Sequence, residues 1–229
     1  MVVSKKRMSS RMVSKQQQLR WLQEGRGQGQ LDTYKPFLNV RDNKSLTERS
    51  SRVYGYKTQR THHLFSDLEL ALFLSLDRIQ DIEDIREQIP LDLETTVQIA
   101  EDLKIPHPIE KNVHQILTST FFIVNHSPLK PPCFVVKALK STHLELKRTI
   151  AQLELERRYW EQKNIPWFLF TEKDISPTAI DNIKWLYPLN KVNTDIYTFS
   201  KIDFYQTYFI QKPELTLIEL SKYLDTHYS

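Results

Sequence analysis

Residues 132–170, PCFVVKALKSTHLELKRTIAQLELERRYWEQKNIPWFLF, decide the fold. The run Phe134-Val135-Val136 is apolar and β-rich behind a proline turn, so 132–139 read as a strand. A long helix is predicted over 143–163, where Leu146, Ile150, Leu153 and Trp160 fall four, three and seven apart and share one face. Asn164 ends it, and Pro166-Trp167-Phe168-Leu169-Phe170 is a short apolar run of the kind that forms a buried strand. A strand, a helix and a second strand in about 40 residues make a crossover unit, which sets the two strands parallel.

The same pattern extends on both sides. Ser66-Asp67-Leu68-Glu69 opens an apolar helix through Leu76, and 82–91 read as a strand with Ile82, Ile85 and Ile89. A short helix over 94–103 precedes the breaker Pro106-His107-Pro108. Residues 113–124 form another predicted strand, joined to 132–139 by the turn Asn125-His126-Ser127-Pro128. Downstream, Ser176 caps a helix with Pro177 at its first position. The expected architecture is α/β, a mixed sheet flanked by helices. Beyond Tyr187 the composition changes, and the last predicted helix, 215–224, carries Leu217, Leu220 and Leu224 on one face. That helix either packs back onto the core or opens a further domain.

Composition sets broad limits. The 229 residues suffice for one good-sized domain with an appendage, and 40% hydrophobic with 26% charged residues is ordinary for a globular chain. The single cysteine, Cys133, excludes an internal disulfide framework and a cysteine-rich zinc site. No apolar run has the length of a signal peptide core or a membrane span. Residues 1–30 carry a net charge of +6 from Lys5, Lys6, Arg7, Arg11, Lys15, Arg20 and Arg26 against Glu24, while the whole chain is only +4. Such an arm is either a phosphate-gripping tail or a solvated one.

Chemistry concentrates on a few residues. Glu69 begins a helix, Lys137 lies in an apolar strand, and His62-His63 forms a pair of which one at most can join a site. Carboxylates that hold Mg²⁺, with a lysine that orients water or neutralises phosphate, form the parts of phosphodiester hydrolysis. Glu69 also completes the pattern S-x-x-E with Ser66, which needs nothing beyond helix capping. An ammonium at position 137 is costly without a partner, unless an edge strand exposes it. Residues 111–144 contain no aspartate or glutamate among 28 in the chain, where about four would be expected.

Glu24-Gly25-Arg26-Gly27-Gln28-Gly29, His62-His63-Leu64-Phe65-Ser66-Asp67-Leu68-Glu69, Asp84-Ile85-Arg86-Glu87-Gln88 and Leu155-Glu156-Arg157-Arg158-Tyr159-Trp160, with Ile165-Pro166-Trp167, occur in the order found in the TnsA family. The chain resembles that family over about residues 16–187. The resemblance implies a restriction-endonuclease-like domain followed by a winged-helix domain. It also implies Mg²⁺-dependent nicking of the 5′ strands at transposon ends, beside a transposase partner, TnsB, and an ATPase, TnsC. The family's metal site is a Glu, an Asp and a Gln-x-Lys strand, and the Glu and Lys fall on Glu69 and Lys137.

The other two positions depart from that pattern. Thr120 stands at the aspartate and Val135 at the glutamine, and His114, Asn125 and His126 suit a hard cation badly. The expectation is therefore a TnsA-like protein of the bacterial cytoplasm with impaired cleavage. The alternative is an active endonuclease with a non-standard site. Three parts are expected: a basic arm and first helix (1–30), the endonuclease-like domain (31–187), and a remnant of the winged-helix domain (188–229), which would weaken contact with the ATPase. Expected DNA contacts are Lys5, Lys6, Arg7, Arg11, Lys15 and Arg26.

Overall fold

The computed structural model describes residues 13–42, 49–110, 112–126, 128–187, 212 and 214–228. Its contacts divide into two units, 1–174 and 175–229. The sequence reading placed the division at 187/188, so the helix after Ser176 falls in the second unit instead.

In chain order the first unit contains α1 (Lys15–Gln23), β1 (Ser51–Gly55), β2 (Arg60–Leu64), α2 (Asp67–Leu76), β3 (Ile82–Pro90), α3 (Leu93–Asp102), β4 (Ile109–Glu110), β5 (Val113–His114), β6 (Thr118–Asn125), β7 (Cys133–Ala138), α4 (Lys147–Gln162) and β8 (Trp167–Phe170). A mixed sheet runs in the order β3-β6-β7-β8. Its first two pairings are antiparallel, and β7 pairs with β8 in parallel, Val135 opposite Trp167 and Ala138 opposite Phe170. The crossover unit read from 132–170 is thus present, with α4 as its connection. The predicted strand over 113–124 is two elements, the short β5 and β6, with β5 turned aside to pair with β4.

Apolar clustering explains the layers. Val135 meets Leu91, Ile99, Ala100, Leu155, Tyr159 and Trp160, which binds β7 to α3 and α4. Phe73 of α2 lies 6.4 Å, ring to ring, from Phe121 of β6. One reading of α4 needs correcting. Leu146 and Ile150 are about half exposed, and the buried residues are Leu155, Glu156, Tyr159 and Trp160. The helix itself begins at Lys147, after a 3-10 turn over Ser141–Glu145, so the predicted stripe started one turn too early. β8 is a sheet edge with Phe168 54% exposed, so its apolar run is only partly buried.

The β1–β2 hairpin is fastened to the sheet by charge. Arg60 donates from both terminal nitrogens to Glu87, at 2.8 and 2.6 Å, and also to the Ile85 and Leu31 carbonyls. His62 places Nδ1 2.7 Å from Glu87 Oε2, and its Nε2 lies 2.7 Å from Thr58 Oγ1. An ionised carboxylate only accepts, so the hydrogen lies on His62 Nδ1. Glu87, His62 and Thr58 are fully buried, and Arg60 is 8% exposed. Burial by itself would raise the Glu87 carboxyl, but His62 and Arg60 hold it far below its ordinary range. Gly55 closes the hairpin, and a Cβ there would lie 2.7 Å from both His62 Nε2 and Thr58 Oγ1.

In the second unit, α5 (Pro177–Leu186) starts after Ser176, and α6 spans Leu217–Tyr228. Thr216 and Glu219 cap α6 reciprocally: Glu219 N–H donates to Thr216 Oγ1, and Thr216 N–H to Glu219 Oε2. Leu220 and Leu224 are buried, as the spacing over 215–224 predicts.

Glu87→Gln leaves Arg60 buried against a neutral group and is expected to cost about 3 kcal/mol, measured by urea unfolding. Because the folded pKa is depressed, the stability that Glu87 supplies is complete above its ordinary value of 4.5 and is lost as pH falls towards the folded value. Acid unfolding curves should accordingly be shallower in the Gln variant. Gly55→Ala, by contact with His62 and Thr58, should cost about 2 kcal/mol at all pH values.

Candidate active site

Glu69 sits in the first turn of α2. Ser66 Oγ accepts from its N–H at 3.1 Å, and its Oε2 accepts from Phe65 N–H at 2.7 Å. The carboxylate therefore fixes the entry of the chain into the helix, where the helix dipole also favours it. It is 8% exposed.

Lys137 lies on β7, and its ammonium is partnered. Nζ donates to the Thr118 carbonyl at 2.8 Å and lies 3.1 Å from Glu156 Oε2. Glu156 comes from the crossover helix and is itself held at Oε1 by Trp167 Nε1 of β8, at 3.1 Å. The side chain of Lys137 is 24% exposed and that of Glu156 only 4%. No acid is near Lys137 along the chain, yet one adjoins it in space. Glu156 was missed by position. The signal was there, since an acid between Leu155 and Tyr159 stands on the helix face that the core requires.

Thr120 and Val135 lie on the neighbouring strands β6 and β7. Thr120 is buried, and its Oγ1 accepts the N–H of Ala138 at 3.1 Å, so the hydroxyl serves strand pairing. Val135 is fully enclosed in the apolar cluster of α3 and α4. A cleft of about 260 Å³ lies near these residues in the chain, though none of Glu69, Thr120, Val135 and Lys137 is in its lining. Its lining includes Phe65, next to the Glu69 cap, and Leu117, next to the carbonyl that receives Lys137. Asp42, Glu110, Arg148 and Gln152 lie in the same lining.

The expected DNA contacts are placed differently from one another. Lys5, Lys6, Arg7 and Arg11 lie outside the described residues. Lys15 is exposed at the start of α1. Arg26 is turned inward: it pairs with Glu24 and Asp42, donates to the Phe37 carbonyl, and stacks 4.7 Å over Trp21. Gly27 beside it has φ +80°, and a Cβ there would meet Pro90 at 2.3 Å. The Gly25-Arg26-Gly27 turn thus packs against the end of β3. His62 belongs to the Glu87 network, and the half-buried His63 accepts from Val40 N–H at 3.4 Å. His114 lies against His107, Nδ1 to Nδ1 at 3.1 Å.

Two family models match the chain, "TnsA-like endonuclease N terminal" over residues 80–172 and "TnsA endonuclease C terminal" over 174–229. The chain is also 40% identical over 210 residues to the Tn7 transposition protein TnsA of Escherichia coli, covering 91% of this chain and 76% of that relative. The chain belongs to the TnsA family. Its four-stranded mixed sheet with flanking helices is the restriction-endonuclease-like fold of TnsA. The two family models meet where the contacts divide, and the TnsA C-terminal match takes in both α5 and α6. No described helix is long and apolar enough to cross a membrane.

Mg²⁺ takes near-octahedral oxygen ligands, usually with one or two carboxylates. Among the described residues, no three His, Cys, Asp or Glu side chains come together as a metal site. Glu69, Thr120, Val135 and Lys137 supply one capped carboxylate, a hydroxyl used by the backbone, a valine, and a lysine already paired with Glu156. That donor set does not fit the ion. What the arrangement supplies is a fixed cation, Lys137, held by Glu156 and the Thr118 carbonyl.

Replacing Glu156 with Gln and Lys137 with Met, singly and together, should give a coupling of about 1 kcal/mol in a double-mutant cycle of urea unfolding. Glu156→Gln alone keeps an acceptor for Trp167 and should cost less than Glu156→Ala.

Proposed function

We propose that this TnsA-family protein acts at the ends of a bacterial transposon, in the cytoplasm, and that its own 5′-strand cleavage is impaired. Its double-stranded DNA substrate and a TnsB-like transposase are the partners this reading requires, with a TnsC-like ATPase as a further one. The observation that carries the impairment is the position of Thr120. The family's aspartate is replaced there by a hydroxyl that is committed to the Ala138 N–H. The apolar burial of Val135 supports the same reading, because it puts no polar group where the family has its glutamine.

A second reading, cleavage by a rearranged site, draws support from Glu156 at Lys137 and from the carboxylates of Asp42 and Glu110 along the cleft. Of these, Asp42 is already held by Arg26. A lost metal-organising carboxylate corresponds to several orders of magnitude in rate, at roughly 3 kcal/mol or more per charge-stabilising group. The second reading therefore requires a full replacement for the aspartate.

Nicking of transposon-end DNA, assayed with a matched transposase in Mg²⁺ or Mn²⁺, decides between them. The expected result is no 5′-strand nick; clear nicking that Glu69→Ala abolishes would overturn the impaired reading. The Thr120→Asp, Val135→Gln variant should gain Mg²⁺ binding in calorimetry that the natural chain lacks.

A further inference from the structure

Three clusters outside the Glu87 network invite a role: the His107–His114 pair, the groove beside α1, and the α4 side of the cleft. The histidines already satisfy one another together with Thr96 and the Pro108 carbonyl. The groove beside α1 exposes Leu19 and Leu22, with nothing to identify an occupant. The α4 side carries further.

Three arginines lie on α4, and they differ in how their charge is compensated. Arg157 and Arg158 are both paired with Glu154 and Glu161, at 2.8 to 3.4 Å. Those pairs hold the Glu154 carboxyl down to about 2, through the Arg157 and Arg158 guanidiniums that hydrogen-bond to it. Arg148 is exposed, lines the cleft, and has no carboxylate partner among the described residues. Of the acids in the same lining, Asp42 is held by Arg26, and Glu110 is not free either.

Helix geometry gives Arg148 its direction. Arg148, Gln152 and Glu156 are spaced by four residues, so they form one stripe along α4. The stripe leads from the cleft lining to the Lys137–Glu156 pair, over a rise of roughly 12 Å. That length covers about three to four nucleotide steps of one DNA strand. A guanidinium presents a planar fork that matches two phosphate oxygens, and one without a carboxylate has no internal competitor for them.

We propose that Arg148 grips a backbone phosphate of the DNA strand that lies along the cleft towards Lys137. This rests on the reading of the protein as one that works on DNA ends, and it is independent of whether the chain cleaves. Arg148 is a positioning residue: it fixes the strand and takes no part in bond breaking. The contact is to phosphate, so it holds for any sequence.

The test is fluorescence anisotropy of the full chain with a fluorescein-labelled mixed-sequence duplex, in EDTA, across a salt series. Arg148→Ala should weaken binding about five- to tenfold and lower the slope of log affinity against log salt by about one. Arg148→Glu should weaken it further. Arg158→Ala, which removes a compensated arginine, should stay within about twofold of the natural chain. Thermal melting of each variant confirms that the fold is kept, as an exposed arginine permits. If Arg148→Ala and Arg148→Glu leave both affinity and slope unchanged while the natural chain binds, the proposal is wrong and the DNA-end reading stands. If the natural chain binds no duplex even at low salt, the DNA-end reading fails and takes this proposal with it.

Discussion

The ion pair between Arg60 and Glu87 is the constraint on which the rest of the first unit depends. It joins the β1–β2 hairpin to β3 in a setting from which water is excluded, with His62 and Thr58 closing the polar chain. A buried charge is tolerable only when its partners are complete, and here every atom of the carboxylate has one. The consequence reaches the candidate site directly. β2 ends at Leu64, Phe65 follows, and Glu69 reaches back to the Phe65 N–H. The placement of the α2 carboxylate is thereby tied to the placement of Glu87.

The other half of the site depends on the crossover. β7 and β8 are parallel, so the helix that connects them must pass over the sheet, and this brings Glu156 to Lys137. The same passage buries Val135 under Leu155, Tyr159 and Trp160. One strand thus carries an apolar residue into the core and, two residues on, a cation to Glu156. Alternation along the strand puts both on the α4 side, and the difference between them is distance from the sheet's end.

The motifs that carry the family resemblance largely build the frame: the Gly25-Arg26-Gly27 turn packs on Pro90 and Trp21, His62 and Glu87 anchor the hairpin, and Tyr159 and Trp160 fill the core. Such residues stay useful to folding whatever happens to the reaction. Thr120 serves the frame in the same way, since its hydroxyl accepts the Ala138 N–H and joins β6 to β7.

By itself the sequence determined the elements and their kind. The cap at Ser66, the strand from Ile82, the crossover over 132–170 and the buried Leu220 and Leu224 were all legible, because spacing and capping act over a few residues. Motif order also led to Glu69, Lys137, Thr120 and Val135 as candidate positions. Less legible was which face of α4 is buried, because Leu146 and Ile150 fit the helical period as well as Leu155 and Tyr159 do. Only the tertiary structure decided what partners Lys137. An acid-free stretch of 34 residues reads as a cation without an acid, but β7 and α4 lie against each other through contacts remote in sequence, and electrostatics follows distance in space.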